Sequence, residues 1–179
     1  MLAVNQFQLF SEYNLLMNQR IYGAASRLSD NELNRDSGAF FRSIIGTLNH
    51  IMVGDIIWLK RFSSHPSCEH TLSYISQLNN PKALDSLLYR ELAQLEIERV
   101  KLDNIIIRWI NGLSAQDIKD SITYYNMAGD KFNKPFASLI SHLFLHQVHH
   151  RGQVTTLLAQ LDVNFGDTDL IEIIHDEDI

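Results

Sequence analysis

Apolar residues recur along this chain in steps of three and four over four long stretches, the period of a helix with one buried face. The first stretch predicts a helix from about Val4 to Arg27, with Phe7, Phe10, Asn14, Met17, Ile21 and Ala24 on its inward stripe. The second predicts a helix from about Ala39 to Arg61, aligning Phe41, Ile44, Leu48, Ile51, Asp55, Leu59 and Phe62. The third, from about Lys82 to Ile110, aligns Leu84, Leu88, Leu92, Leu95, Leu102, Ile105, Ile106 and Trp109; Arg90, Glu91, Glu96, Glu98, Arg99 and Lys101 read as its solvated face. The fourth runs to about Leu161 and aligns Phe136, Leu139, Leu143, His146, His150, Val154, Leu157 and Leu161.

Between these stretches the pattern breaks for local reasons. Ser29-Asp30-Asn31-Glu32 has the form of a capping box and predicts a short helical turn. Leu72 to Asn80 reads as loop or a short helix closed by Asn80-Pro81. From Asp120 to Tyr125 the residues turn β-branched and aromatic. Asn126-Met127-Ala128-Gly129 then makes a turn, and Asp130 to Asn133 continues, which predicts a small β-hairpin. Pro135 suits the first turn of the last helix, where its missing N–H does no harm. The tail from Asp162 carries seven acidic residues and no Lys or Arg around the apolar cluster Leu170 to Ile174, with His175 beside it read as incidental. The fold expected is all-α: a four-helix bundle in one domain over residues 1–179, with the hairpin inserted before the last long helix.

Polar residues on apolar stripes are where chemistry is to be sought. Half of the chain's eight histidines lie between His142 and Gln153. His142, His146 and His150 stand four apart, and each step of four turns by only about 40°, so they share a stripe. His146 and His150 fill positions where the pattern calls for leucine. Two buried imidazoles need partners; hydrogen bonds to carbonyls or acids would satisfy them, and so would one shared metal ion at the His-x-x-x-His spacing. In the second helix Gly46, His50, Gly54 and Trp58 are also four apart. Glycines one turn either side of His50 serve close packing or leave its ring open to a ligand. His50 is thus the candidate third ligand. Asn14 is a core amide or faces a cavity. Asp55 is a partner for an imidazole N–H, or a surface or capping group. Asn49 and His142 are further candidates to line a cavity. His149 points about 100° away from His150 and is not expected to ligate. Arg151 reads as an interhelical ion pair or as a contact for an acidic substrate.

Composition narrows the function classes. A net charge of −6 argues against nucleic acid as a partner. The one cysteine, Cys68, excludes an internal disulfide and any multi-cysteine metal site, and its polar surroundings with His65 and His70 read as a plain loop. With no signal-like opening and no apolar run of about 18 residues, the expectation is a cytoplasmic protein without a membrane partner.

The stretch Gly46-Thr47-Leu48-Asn49-His50-Ile51-Met52-Val53-Gly54-Asp55, together with His142 to Gln153 ending in His-Arg-Gly-Gln, resembles the DinB/YfiT-like metal-binding proteins, a family distinct from the similarly named DNA polymerase. Tyr13-Asn14 and Ser37-Gly38-Ala39-Phe40-Phe41 match its pattern as well. The resemblance implies a four-helix bundle with an unusual helix order, assembled as a homodimer. It implies three histidine ligands, here His50, His146 and His150, for a divalent cation such as zinc or nickel. Relatives include transferases that use low-molecular-weight thiols on small electrophiles, so the expected activity is thiol-dependent S-transfer on a small-molecule substrate. Metal-dependent hydrolysis, or a non-enzymatic metal-binding role in stress response, are the alternatives.

Overall fold

The structure, a computed structural model, describes residues 2–174 and residue 176; His175 lies outside the described residues. Six helices and one hairpin follow in order: α1 (Leu2–Ala25), α2 (Asp30–Asn34), α3 (Ile44–Phe62), α4 (Ser73–Gln77), α5 (Leu92–Gly112), β1 (Ser121–Tyr125), β2 (Lys131–Pro135) and α6 (Phe136–Ala159). The long helices α1, α3, α5 and α6 form the bundle. Helix α1 packs on α5 and α6, and α3 packs on α6 and α5. The first two long helices therefore occupy opposite corners. No described helix is long and apolar enough to cross a membrane.

Local chemistry explains most of the boundaries. Ser29 caps α2 through the expected box, its side chain and that of Glu32 each accepting from the other's backbone N–H. The hairpin pairs Ser121 with Pro135 through Tyr125 with Lys131, and Gly129 takes φ +90° in its turn. Pro135 ends β2 rather than opening α6, so the predicted first-turn position is one residue early.

Two helix starts differ from the pattern. Helix α3 begins at Ile44, not near Ala39, because residues 39–42 close a tight turn in which Arg42 N–H donates to Ala39 O and Arg42 takes φ +69°. Ser43 then caps the helix by accepting from Gly46 N–H at 3.1 Å. Helix α5 begins at Leu92, ten residues later than the spacing of Leu84, Leu88 and Leu92 predicts. The Asn49 side chain spends its amide on that segment: Nδ2 donates to Tyr89 O at 2.9 Å and Oδ1 accepts from Tyr89 N–H at 3.0 Å. A backbone group so engaged is lost to a helix ladder. Leu84, placed on the core stripe by its spacing, is accordingly exposed.

The core runs the length of the bundle, from Phe7 and Ile21 through Leu48, Ile106 and Leu143 to Trp109, Phe62 and Phe136. Cys68 belongs to it: the residue is fully buried and Trp109 Nε1–H points at its sulfur at 3.1 Å. Cys68 lies in the turns between α3 and α4, as the loop reading expects, but it faces the core rather than polar surroundings. His65 faces Asp120 at 3.2 Å, and among the described residues no metal-competent cluster forms there. The tail returns along α1, where Tyr13 Oη–H donates to Thr168 O and Arg20 pairs with Glu172.

Candidate metal centre

Helix α6 carries His146 and His150 one turn apart, and α3 brings His50 against them. The Nε2 atoms converge: His50 Nε2 lies 3.1 Å from His146 Nε2 and 3.1 Å from His150 Nε2. Two imidazoles on one cation, at metal–nitrogen distances of about 2.0–2.1 Å, would have nitrogens about 2.9–3.4 Å apart for right-angle to tetrahedral geometry. The donor set is thus the size of a shared ion.

Protons decide what the short distances mean. His50 Nδ1 lies 2.8 Å from the carbonyl oxygen of Leu84, which only accepts, so this nitrogen carries the ring's proton. His150 Nδ1 lies 2.8 Å from Gln153 Oε1 and is protonated for the same reason. Both Nε2 atoms are then bare lone pairs facing each other, with no hydrogen between them. Burial depresses the pKa of His50 and of His150, opposed by those two acceptors. His146 is pushed down to about 3, first by burial and then by the neighbouring imidazoles. All three are neutral near pH 7. Three neutral imidazoles with converging Nε2 atoms fit a divalent cation.

Packing holds this arrangement. A Cβ built on Gly54 would meet His146 Cε1 at 2.6 Å and Nδ1 at 3.1 Å. Gly54 is therefore the seat of the His146 ring rather than open space beside His50. Gly46 passes beneath the Phe41 carbonyl, where a Cβ would lie 2.2 Å from the oxygen. The turn before α3 lays Phe41 flat on His50, centroids 3.7 Å apart and planes 15° apart, and edge-on to His150 at 5.5 Å.

The profile described as "DinB family" matches residues 1–176. The chain belongs to the DinB family. Among curated relatives it is similar to "Protein DinB" of Bacillus subtilis (strain 168), 23% identical over 163 residues, which span 91% of this chain and 90% of that one. No solved structure was found to match it.

Other residues singled out in the sequence take different places in this DinB-family chain. Asn14 is a core amide: Nδ2 donates to Asp103 Oδ1 at 3.1 Å, and Oδ1 accepts from Arg151. Asp55 makes no bond to an imidazole; it is fully buried and accepts from Arg99 Nη1 and from Gln147 Nε2. Asn49 clamps residue 89 rather than lining a cavity. His142 is exposed one turn from His146, ring centroids 6.0 Å apart, and stands edge-on to Trp58. His149 is exposed and ligates nothing in the cluster. Among the described residues Arg151 meets no carboxylate directly; buried, it donates to Asn14, Asn18 and Gln147.

These contacts belong to a buried polar network joining all four long helices. Arg99, read from sequence as solvated, is 2% exposed and bridges Asp55 and Asp103. Asn18 Nδ2 donates to both Asp103 oxygens. Burial pushes Asp55 up to about 6 against the opposing Arg99 charge, and raises Asp103 similarly. Burial also opposes the charge on Arg99, but Asp103 and Asp55 raise its pKa above the ordinary value. Leu84, Gln153 and Phe41 were missed as site residues. Only Gln153, three residues after His150 on one helix, left a usable signal in spacing.

Proposed function

We propose that this chain binds one divalent cation, zinc or nickel, through His50, His146 and His150, and serves as a thiol-dependent S-transferase acting on small electrophiles. The observation that carries the reading is the meeting of unprotonated Nε2 atoms at 3.1 Å, which a cation turns from repulsion into coordination. Imidazole suits both metals. Bound there, the cation supplies Lewis acidity, lowering the pKa of a thiol in its free coordination position.

Among the described residues no carboxylate joins the histidine cluster, which supports transfer over hydrolysis. Hydrolysis gains about 10²–10⁴-fold from a base within hydrogen-bond reach of the attacking water. The buried carboxylates of the described bundle, Asp55 and Asp103, are both committed to Arg99. A thiol would do without such a base once its proton has passed to solvent. Its sulfur would form the bond to the electrophilic carbon as that carbon's bond to the leaving group breaks, the leaving group departing with the electron pair and taking a proton from solvent. The Leu84 carbonyl and Gln153 hold the imidazoles in one tautomer, and Phe41 shields one face of His50 from water. The same reading takes the protein as a homodimer. Exposed Leu145 and Val148 on α6, beside half-buried Phe10 and Tyr13 on α1, support that assembly.

The test is metal content by mass spectrometry on wild type and His50→Ala, followed by titration of the cobalt-substituted protein with cysteine-containing thiols. Near one metal per chain, lost in the variant, with a thiol-induced shift of the cobalt spectrum, is expected. Metal without a thiol response moves the reading to hydrolysis or storage. Absence of metal after reconstitution overturns the site.

A further inference from the structure

A cavity of about 360 Å³ lies between the C-terminal end of α3 and the hairpin tip, lined by Ile57, Lys60, Arg61, Asn80, Pro81, Tyr125, Asn126 and Met127. No acidic residue is among them. In a chain of net charge −6, Lys60 and Arg61 there have no ion-pair partner among the described residues. The Arg61 guanidinium lies in the corner made by two edge-to-face rings, 4.4 Å from the Trp58 centroid and 4.7 Å from that of Tyr124. Stacking of this kind fixes the plane of the fork while leaving its N–H groups for a ligand. No hydrogen bond within the chain uses them among the described residues. Lys60 gives one N–H to Leu78 O. Half-burial also works against the Arg61 charge, and an anion would relieve it.

We propose that this cavity binds the carboxylate of a small organic acid, with Arg61 as the bidentate partner, Lys60 as the second charge, and Ile57, Pro81, Tyr125 and Met127 receiving the acid's apolar body. A planar guanidinium matches a carboxylate edge to edge. Arginine also pairs with phosphate, but a helix N-terminus, the usual further support for a phosphate, does not line this cavity. A row of rings leads from Arg61 toward the metal centre: the Trp58 centroid lies 4.9 Å from that of His142, which lies 6.0 Å from that of His146. Arg61 is eleven residues beyond His50 on α3, a rise of about 16 Å, and its side chain leans back toward His50. An acid about the length of a tripeptide, roughly 10 Å, suits that separation. This last connection rests on the metal reading; the carboxylate site does not.

The experiment titrates the metal-free, full-length chain with 3-phenylpropionate, with its neutral amide 3-phenylpropanamide, and with inorganic phosphate, by calorimetry and tryptophan fluorescence. Saturable binding of the acid is expected, with the amide at least about tenfold weaker. Arg61→Gln should weaken the acid about tenfold or more while far-UV circular dichroism and metal content stay at wild-type values, and Arg61→Lys should fall between. Equal binding of acid and amide, phosphate binding without acid binding, or unchanged affinity in Arg61→Gln would each overturn the proposal. Should Arg61→Gln fail to fold, the comparison of acid with amide on the wild type decides alone. Because no metal is present, failure of the metal reading leaves this outcome unaffected.

Discussion

Substituting Gly54 by Ala adds one methyl group to the wall of the metal centre, and the structure fixes what it meets. Its Cβ would stand 2.6 Å from His146 Cε1, 3.1 Å from Nδ1 and 3.4 Å from Nε2. Ordinary carbon–carbon contact needs about 3.5 Å or more, so the ring must retreat by about 1 Å. Metal–nitrogen bonds tolerate only about ±0.2 Å. The displaced Nε2 can no longer share an ion with His50 and His150. Loss of an outer-shell partner lowers metal affinity about 10–100-fold, and displacing a direct ligand should exceed that range. Competition against a chelator of known affinity reads the effect.

Stability of the metal-free chain should move less, because two terms oppose. Ala in place of a mid-helix Gly gains about 1 kcal/mol. Overpacking costs about 1–3 kcal/mol. The net is a loss of about 0–2 kcal/mol in urea denaturation. Gly152 provides the control on the other histidine helix. A Cβ there meets nothing within 4 Å, so Gly152→Ala should gain about 0.5–1 kcal/mol and keep its metal. A Gly54→Ala variant with wild-type metal affinity and a gain like that of Gly152→Ala would refute the placement of the His146 ring.

Three other outcomes follow from the same contacts. Arg99→Met strands Asp55 and Asp103 as unpaired buried carboxylates and should lower stability by about 3–5 kcal/mol in denaturant titration; a change under about 1 kcal/mol would contradict the buried pairing. Asn49→Ala releases residue 89 from α3, a loss of about 1–3 kcal/mol, and should speed hydrogen exchange of the Tyr89 amide; unchanged exchange would show that the clamp is not formed. For pH, the folded-state pKa values of His50, His146 and His150 lie below the ordinary 6.5, so below that pH the unfolded chain binds more protons than the folded one. Their contribution is constant above pH 6.5. It turns against the fold as pH falls toward about 3, the His146 value. Asp55, raised to about 6, acts oppositely between its ordinary 3.8 and that value, favouring the fold at the acid end of the window. The metal-free His146→Gln variant should lose less stability than wild type between pH 7 and 5, measured by thermal melts; parallel losses would remove His146 from the account.

The four long helices were legible because each buries a stripe, and burial writes a period into sequence. The same rule carried more than its apolar positions suggest. Leu95 and Leu102 are seven apart, and the inward position between them is Arg99, which a reading by residue type sends to solvent. Its period was that of the core; its charge was not. The mistake at Lys82 is the converse, since Leu84, Leu88 and Leu92 keep helical spacing while the backbone between them is held by Asn49 and His50. Spacing within one segment is local, and a carbonyl claimed by another helix leaves no mark on it. For the same reason His50, His146 and His150 could be nominated from periodicity and resemblance, whereas Leu84, which contributes only a backbone oxygen, could not.

The buried network and the histidine cluster are two faces of α6. Gln147 and Arg151 each follow a candidate ligand by one residue, about 100° around the helix, so α6 turns imidazoles to one side and the network to the other. Apolar packing alone tolerates small rotations of a helix, because one methyl contact replaces another. Directional bonds from Gln147 to Asp55 on α3, and from Arg151 to Asn14 and Asn18 on α1, do not. At a site where lone pairs must meet within a few tenths of an ångström, that rotational constraint gives a buried ion pair a reason to be kept even though an apolar core could equal its stability.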